Sequence, residues 1–166
     1  MENIIGIVMI LISCIAFAYV KVREMSKRLR NIKEMKRALF LLRYEVSFSA
    51  RELWEACDGL SFVLNGEVGE LFYRIGIAMR EETSSFSACW KALSDGMFSD
   101  KAAMVLDSFA ATFGTLSKEL EEQALEGCEK QLGGICEEEE KELYQNRKLW
   151  YTLCPGAGLV LGIFLA

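Results

Sequence analysis

The residues of this chain with reactive or ligating side chains are six cysteines, a basic cluster and a long acidic stretch. The cysteines are Cys14, Cys57, Cys89, Cys128, Cys136 and Cys154. A thiolate metal centre or a redox pair would ask for a CxxC spacing, and none occurs. Cys14 and Cys154 lie inside apolar runs, and the other four stand mostly beside apolar residues. That placement reads as reduced thiols acting as small hydrophobes. There is no His, which removes the commonest general base, the commonest zinc nitrogen ligand and the usual pH switch. No GxxxxGK[ST] or GxGxxG loop is present to cradle a phosphate. No nucleophile has a credible base partner. The net charge of -5 makes no case for nucleic acid. The chain is therefore expected to be no enzyme, with no catalytic, cofactor-binding or metal-binding residue.

The elements that would position these groups begin with two apolar ends. Residues 3–20 carry no charge, and neither do residues 150–166. Each run is near the ~20 residues that cross a bilayer. A buried core helix explains one such run more easily than a pair at opposite ends. A cleaved signal or lipoprotein start fits the first run poorly. The opening Met1-Glu2-Asn3 lacks a basic n-region, and apolar residues continue past Cys14. Positions 21 to 37 hold eight basic residues and two acidic ones, and Arg147 and Lys148 precede the second run. Basic residues beside a span favour the cytoplasmic side, so both ends put the middle in the cytoplasm. Tyr19, Trp150 and Tyr151 fall where an interfacial aromatic belt belongs. The basic cluster is best satisfied by the anionic inner leaflet.

The middle, 21–149, reads as helical throughout. Val22, Met25, Leu29, Ile32, Met35, Leu39, Leu42 and Val46 recur at spacings of three and four, one face of a helix close to a heptad. The first apolar helix should continue unbroken to about Phe48. Phe40, Leu41, Tyr44 and Phe48 make its far half apolar nearly all round, which predicts helices packed on every side. A helix over 49–64 carries Leu53, Trp54, Cys57, Leu60 and Val63 on its core face, and Asn65-Gly66 ends it. Helices follow over 67–82, from a Ser84 or Ser85 cap through Leu93, and from an Asp100 cap through Phe113. Asp95-Gly96 separates the last two. Ser117 opens a long helix with ten acidic and five basic residues up to position 148. Gly133-Gly134 is its expected weak point. No stretch alternates long enough for a strand. The expected fold is all-α: an antiparallel cytoplasmic bundle of about six helices, flanked by transmembrane helices at 3–20 and 150–166. The acidic helix is a solvated face, a dock for a basic partner, or an antiparallel neighbour of the basic first helix. In the second apolar run, Gly158 and Gly162 have the spacing that lets membrane helices approach closely.

The motifs resemble those of the stage III sporulation protein AB family over essentially the whole chain. An apolar helix and a basic stretch are followed by Leu39-Phe40-Leu41-Leu42-Arg43-Tyr44-Glu45-Val46, similar to the family's LxxLxxEI helix. Gly66-Glu67-Val68-Gly69-Glu70-Leu71-Phe72 is close to its GPVGELF segment. Ser87-Ala88-Cys89-Trp90-Lys91-Ala92-Leu93 matches its AW..AL segment, and Phe113-Gly114 and Gln123 its LG and downstream Gln. Glu142-Leu143-Tyr144-Gln145-Asn146-Arg147-Lys148-Leu149-Trp150-Tyr151 resembles its entry to a Gly-rich membrane helix. Positions 47–52 depart from the pattern, where the family often has a Tyr and a Pro-Leu helix start. The resemblance implies a component of the channel complex in the mother-cell membrane around the forespore. It also implies a reduced form of the inner-membrane platform of type II secretion and type IV pilus machines. The partner implied is a hexameric secretion ATPase, the companion stage III sporulation protein AA, along with other channel components. An ATPase would need a polar surface away from lipid. Chain tracing expects that surface at the turns near 47–52 and 94–101, exposing Arg51, Glu52, Asp95, Asp100 and Lys101. The alternative is a self-associating scaffold, with the heptad-like first helix as the seam of a homo-oligomer.

Overall fold

The computed structural model describes residues 2–48, 52–82 and 84–165; side chains at 2–7, 10–11, 48, 82 and 150–165, Gly156 apart, lie outside the described residues. Six α-helices and no strand occur among the described residues. They are α1 (Glu2–Phe48), α2 (Leu53–Val63), α3 (Gly66–Glu82), α4 (Phe86–Leu93), α5 (Asp100–Thr112) and α6 (Lys118–Leu165). The chain divides into two units, Met1–Lys27 with Glu138–Ala166, and Arg28–Glu137. Both long helices contribute to both.

In the first unit, α1 turns Val8, Met9, Ile12, Ile15, Phe17, Tyr19 and Val20 outward, while Ala18 and Val22 are buried. Among the described residues no helix is long and apolar enough to cross a membrane. The run 3–20 falls partly outside the described side chains and the run 150–166 almost wholly. Gly158 and Gly162 belong to the helical backbone of α6, and their surroundings lie outside the described residues.

The second unit holds the core. Its α1 segment buries Leu29, Ile32, Met35, Ala38, Leu39 and Leu42, the expected heptad-like face. That face is thereby spent on packing inside the unit. Phe40 and Tyr44 are exposed, so this half of α1 is not covered on every side. The Arg43 guanidinium lies 5.8 Å from the Phe40 ring instead, a contact available to a ring at the surface.

Helices α2 and α3 pack backbone to backbone. A Cβ on Gly69 would stand 2.7 Å from the Leu64 carbonyl oxygen, and one on Gly76 would stand 3.3 Å from that of Trp54. Gly66, at φ +65°, makes the turn between them, a conformation that side-chain-bearing residues seldom adopt. Helix α2 starts at Leu53, later than expected, and Glu52 gives it no side-chain cap. Its end also differs from the expected core face. Leu64 leaves the helix in extended conformation and is buried, while Val63 points out.

Ser85 caps α4 by accepting the Ala88 N–H at 3.3 Å. Ser99, not Asp100, caps α5, accepting the Ala102 N–H at 3.4 Å; Asp100 is already the first helical residue. An aromatic cluster joins these helices. Phe86 meets Phe113 edge-on at 5.2 Å, and Trp90 stacks with Phe98 at 6.0 Å. The Trp90 indole N–H donates to Asp107 Oδ1 at 2.8 Å, which satisfies the one polar atom of a buried ring.

Helix α6 runs through Gly133-Gly134 without a break. Each glycine costs a helix about 1 kcal/mol relative to Ala. Burial of Leu132 and Cys136 on the same stretch offsets this. Of the three readings of the acidic helix, the antiparallel pairing with α1 is present in this unit. Arg43 pairs with Glu129 at 3.8 Å, and the Lys36 ammonium lies where a Cβ on Gly133 would be 3.4 Å away.

Candidate functional site

The second unit has two ends, and each gathers its own charges. Asn31 marks the first. Among the described residues it is the buried polar side chain, and its Nδ2 donates to Glu67 Oε2 and to the Met97 carbonyl, both at 3.0 Å. These bonds bring the start of α3 and the α4–α5 loop together against α1. A buried amide is kept by such partners, since leaving it unpaired costs on the order of 1–3 kcal/mol. Asn31 lies one turn before Met35 on the buried face, so a polar residue interrupting the apolar stripe was the available signal for this junction.

The other end lies where α1 finishes at Phe48. Gly114, at φ +85°, has its Cβ direction 3.4 Å from the Leu53 side chain, and its N–H donates to Glu121 Oε1 at 2.9 Å. A groove of about 440 Å³ opens here, lined by Glu45, Leu53, Met79, Phe86, Phe113 and Lys118, among others. It mixes apolar floor and charged rim. Sequence patterning gives no sign of it, because its wall comes from five separate helices and the turn after α5.

The residues expected to form one docking surface are divided between these ends. Glu52 is exposed at the Phe48 end and accepts the Trp54 indole N–H at 2.6 Å. Arg51 lies outside the described residues. Asp95, Asp100 and Lys101 are exposed at the Asn31 end, beside Met97. The 13 residues of α5, about 20 Å of helix, separate the two groups. Each helix from α1 to α4 reverses the direction of the one before it, so α4 returns to the Asn31 end and the turn after it lies there, away from 47–52.

The chemistry-bearing groups behave as structural ones. Cys57, Cys89, Cys128 and Cys136 are buried and unbridged, and Cys14 is half-buried. Burial pushes the Cys57 thiol up to about 12, with Cys89 adding to it, and burial pushes Cys128 up to about 12. Such thiols are poor nucleophiles and poor metal ligands. On α6 the Lys130 ammonium, hydrogen-bonded to Glu126 at 2.7 Å, holds that carboxyl below its usual range. Among the described residues no three His, Cys, Asp or Glu side chains come together to hold a metal.

With the geometry in place, the relatives are informative. The model of the family described as Stage III sporulation protein AB (spore_III_AB) matches residues 3–166. A solved structure described as Stage III sporulation protein AB (SpoIIIAB) is similar, with a TM-score of 0.64 and 19% identity. The match covers 71% of this chain and 97% of that one, and at this identity the likeness is one of fold. No curated protein matches the chain. A family match running from Asn3 to the last residue takes in both apolar runs, the basic stretch and the whole helical core, and on that ground the chain belongs to the stage III sporulation protein AB family.

Proposed function

We propose that this chain is a membrane-held platform of the sporulation channel complex, lodged in the mother-cell membrane around the forespore. Its second unit stands in the cytoplasm and couples a hexameric secretion-type ATPase to the channel. The observation that carries the membrane reading is on α1. Val8, Met9, Ile12, Ile15, Phe17, Tyr19 and Val20 are 46–65% exposed on a charge-free run of helix. An apolar face of that extent needs a non-aqueous neighbour, and the basic residues from Lys21 onward mark its cytoplasmic edge. The run 150–166 supplies the second span. The ATPase, a relative of stage III sporulation protein AA, is the partner that the family resemblance suggests.

Of the two ends, the Phe48 end suits the ATPase. The chain enters the second unit at Arg28 and leaves it at Glu137, and both belong to the Asn31 end. The Phe48 end thus carries only turns between helices of the unit itself. Its groove is rimmed by Lys118 and Glu45, with Arg51 and Glu52 adjacent in sequence.

Capture of the full chain in detergent by the immobilised ATPase tests this. Arg51→Glu with Lys118→Glu should weaken capture tenfold or more, leaving helicity unchanged. Lys101→Glu at the Asn31 end and Glu138→Lys with Glu139→Lys on α6 should leave it intact. Loss confined to the α6 pair would make the acidic helix the dock, and unchanged capture in every variant would refute docking at the Phe48 end.

A further inference from the structure

The groove at the Phe48 end has a chemistry that narrows what can enter it. Its floor is apolar: Phe86 and Phe113 are buried at the base, and Val46, Leu53 and Met79 are only half-buried around them. Its shape is set by contacts already made. Phe86 and Phe113 hold each other edge-on at 5.2 Å, Ser85 caps α4, and Glu121 pins the Gly114 turn. Among the described residues three charged side chains line the groove, Glu45, Lys118 and Glu121. Glu121 is engaged, since it accepts the Gly114 N–H at 2.9 Å. Beside the lining residues in sequence, Glu52 accepts the Trp54 indole N–H, and Arg80 pairs with Glu81 at 3.7 Å. The side chains of Glu45 and Lys118 have no hydrogen bond or ion pair among the described residues. The open charges are thus one of each sign, and both flank the same apolar floor.

We infer that the groove receives a segment of the ATPase carrying two large apolar side chains, flanked by a cation that meets Glu45 and a carboxylate that meets Lys118. This rests on the reading that the ATPase docks at the Phe48 end. Volume sets the apolar part. A cavity of about 150 Å³ holds a benzene ring, whereas the groove offers about 440 Å³. One side chain leaves much of it empty, and two occupy it. Charge sets the flanks. A segment with two cations would oppose Lys118, and one with two carboxylates would oppose Glu45, and like charges brought together at an interface repel. The walls need no reordering to accept the segment, which keeps the cost of binding low. Side chains seated in such pockets carry most of the energy of an interface. The floor should therefore count for at least as much as the rim.

The test uses the full chain in lipid nanodiscs, which keep detergent out of the groove, and the immobilised ATPase. Met79→Trp fills the groove from its floor and leaves the rim charges in place. It should weaken capture about tenfold or more, as should Glu45→Lys. Met104→Trp, at an exposed position at mid-length on α5, should leave capture unchanged. A photoreactive benzoylphenylalanine at position 115, on the groove wall, should crosslink to the ATPase on illumination, and the same residue at position 104 should not. If Met79→Trp lowers the unfolding midpoint, the crosslink at 115 decides alone. If Arg51→Glu with Lys118→Glu abolishes capture but Met79→Trp is captured normally, or position 115 gives no adduct, the ATPase sits on the rim. The anchor in the floor is then refuted and docking at this end stands. If the unaltered chain is not captured at all, the docking reading itself fails and takes this inference with it.

Discussion

Helix α1 holds Val8, Met9, Ile12, Ile15, Phe17, Tyr19 and Val20 outward; between residues 29 and 39 the same helix buries every large apolar side chain it carries. Local propensity does not separate the stretches, since both are rich in Ile, Leu and Met. Charge spacing does. In the buried stretch Arg30, Lys33, Lys36 and Arg37 interrupt the apolar residues, leaving one stripe to face the core. In the exposed stretch nothing interrupts them, so every face is apolar and no single neighbour can cover it. Stability of the second unit should therefore depend on one stretch and be indifferent to the other.

The comparison breaks if core truncation and α1 truncation have similar effects. Trp90→Ala removes a ring that is 2% exposed and strands Asp107. It should cost about 3–5 kcal/mol, read by denaturant unfolding of the full chain in detergent. Ile12→Ala should change that unfolding by no more than about 0.5 kcal/mol. Asn31→Ala comes next. It abandons the bonds to Glu67 and Met97, and about 1–3 kcal/mol should be lost. Asn31→Asp should fare no better, because a carboxylate cannot donate to either acceptor.

Glycine substitutions sharpen the contrast between tight and open packing inside the second unit. Gly69→Ala sets a methyl 2.7 Å from a backbone oxygen and should destabilise by about 1–3 kcal/mol. Gly59→Ala meets nothing within 4 Å on a helix of the same unit and should stabilise by roughly 0.5–1 kcal/mol. A shared sign for the two would show that α2 and α3 do not pack through backbone contact.

The smallest effect concerns the thiols. Folded Cys57 and Cys128 hold their protons to about pH 12, against 9.0 for a free thiol. The unfolded chain sheds these protons first. Their contribution to stability is therefore full below pH 9 and is lost as pH rises from 9 toward 12. Near pH 8 both should alkylate at least a hundredfold more slowly in the folded chain than in denaturant. Cys14, half-buried, should show a smaller difference. Mass spectrometry of labelled peptides reads all three.

Much of the fold could be read from spacing. The three-and-four recurrence from Leu29 to Leu42 gave the buried face of α1, and Asn65-Gly66 and Asp95-Gly96 stood at observed turns. Ser85 signalled its cap through side-chain chemistry alone. Spacing failed where long-range geometry decides. Periodicity put Val63 on the core face, but the chain leaves the helix there and Leu64 takes the buried place. The glycine pair of α6 looked like a break, yet flanking core residues carry the helix through. The docking residues were assigned to one end because sequence says that a chain turns, not where the turn lands. The bond from Asn31 to the Met97 carbonyl settles that, and no local signal encodes it.

The antiparallel pairing of α1 with α6 has a consequence for the order of synthesis. Arg43 leaves the ribosome long before Glu129 exists. At the usual elongation rates the wait is on the order of ten seconds, far longer than the roughly microsecond scale on which helices form. Helices α2 to α5 have their sequence neighbours as partners and can collapse during that interval. The stripe from Leu29 to Leu42 stays short of its last wall until α6 arrives with Leu125, Cys128 and Leu132. A nascent chain cut between Thr112 and Lys118 should accordingly bind holding chaperones, and one extended past Cys136 should let them go.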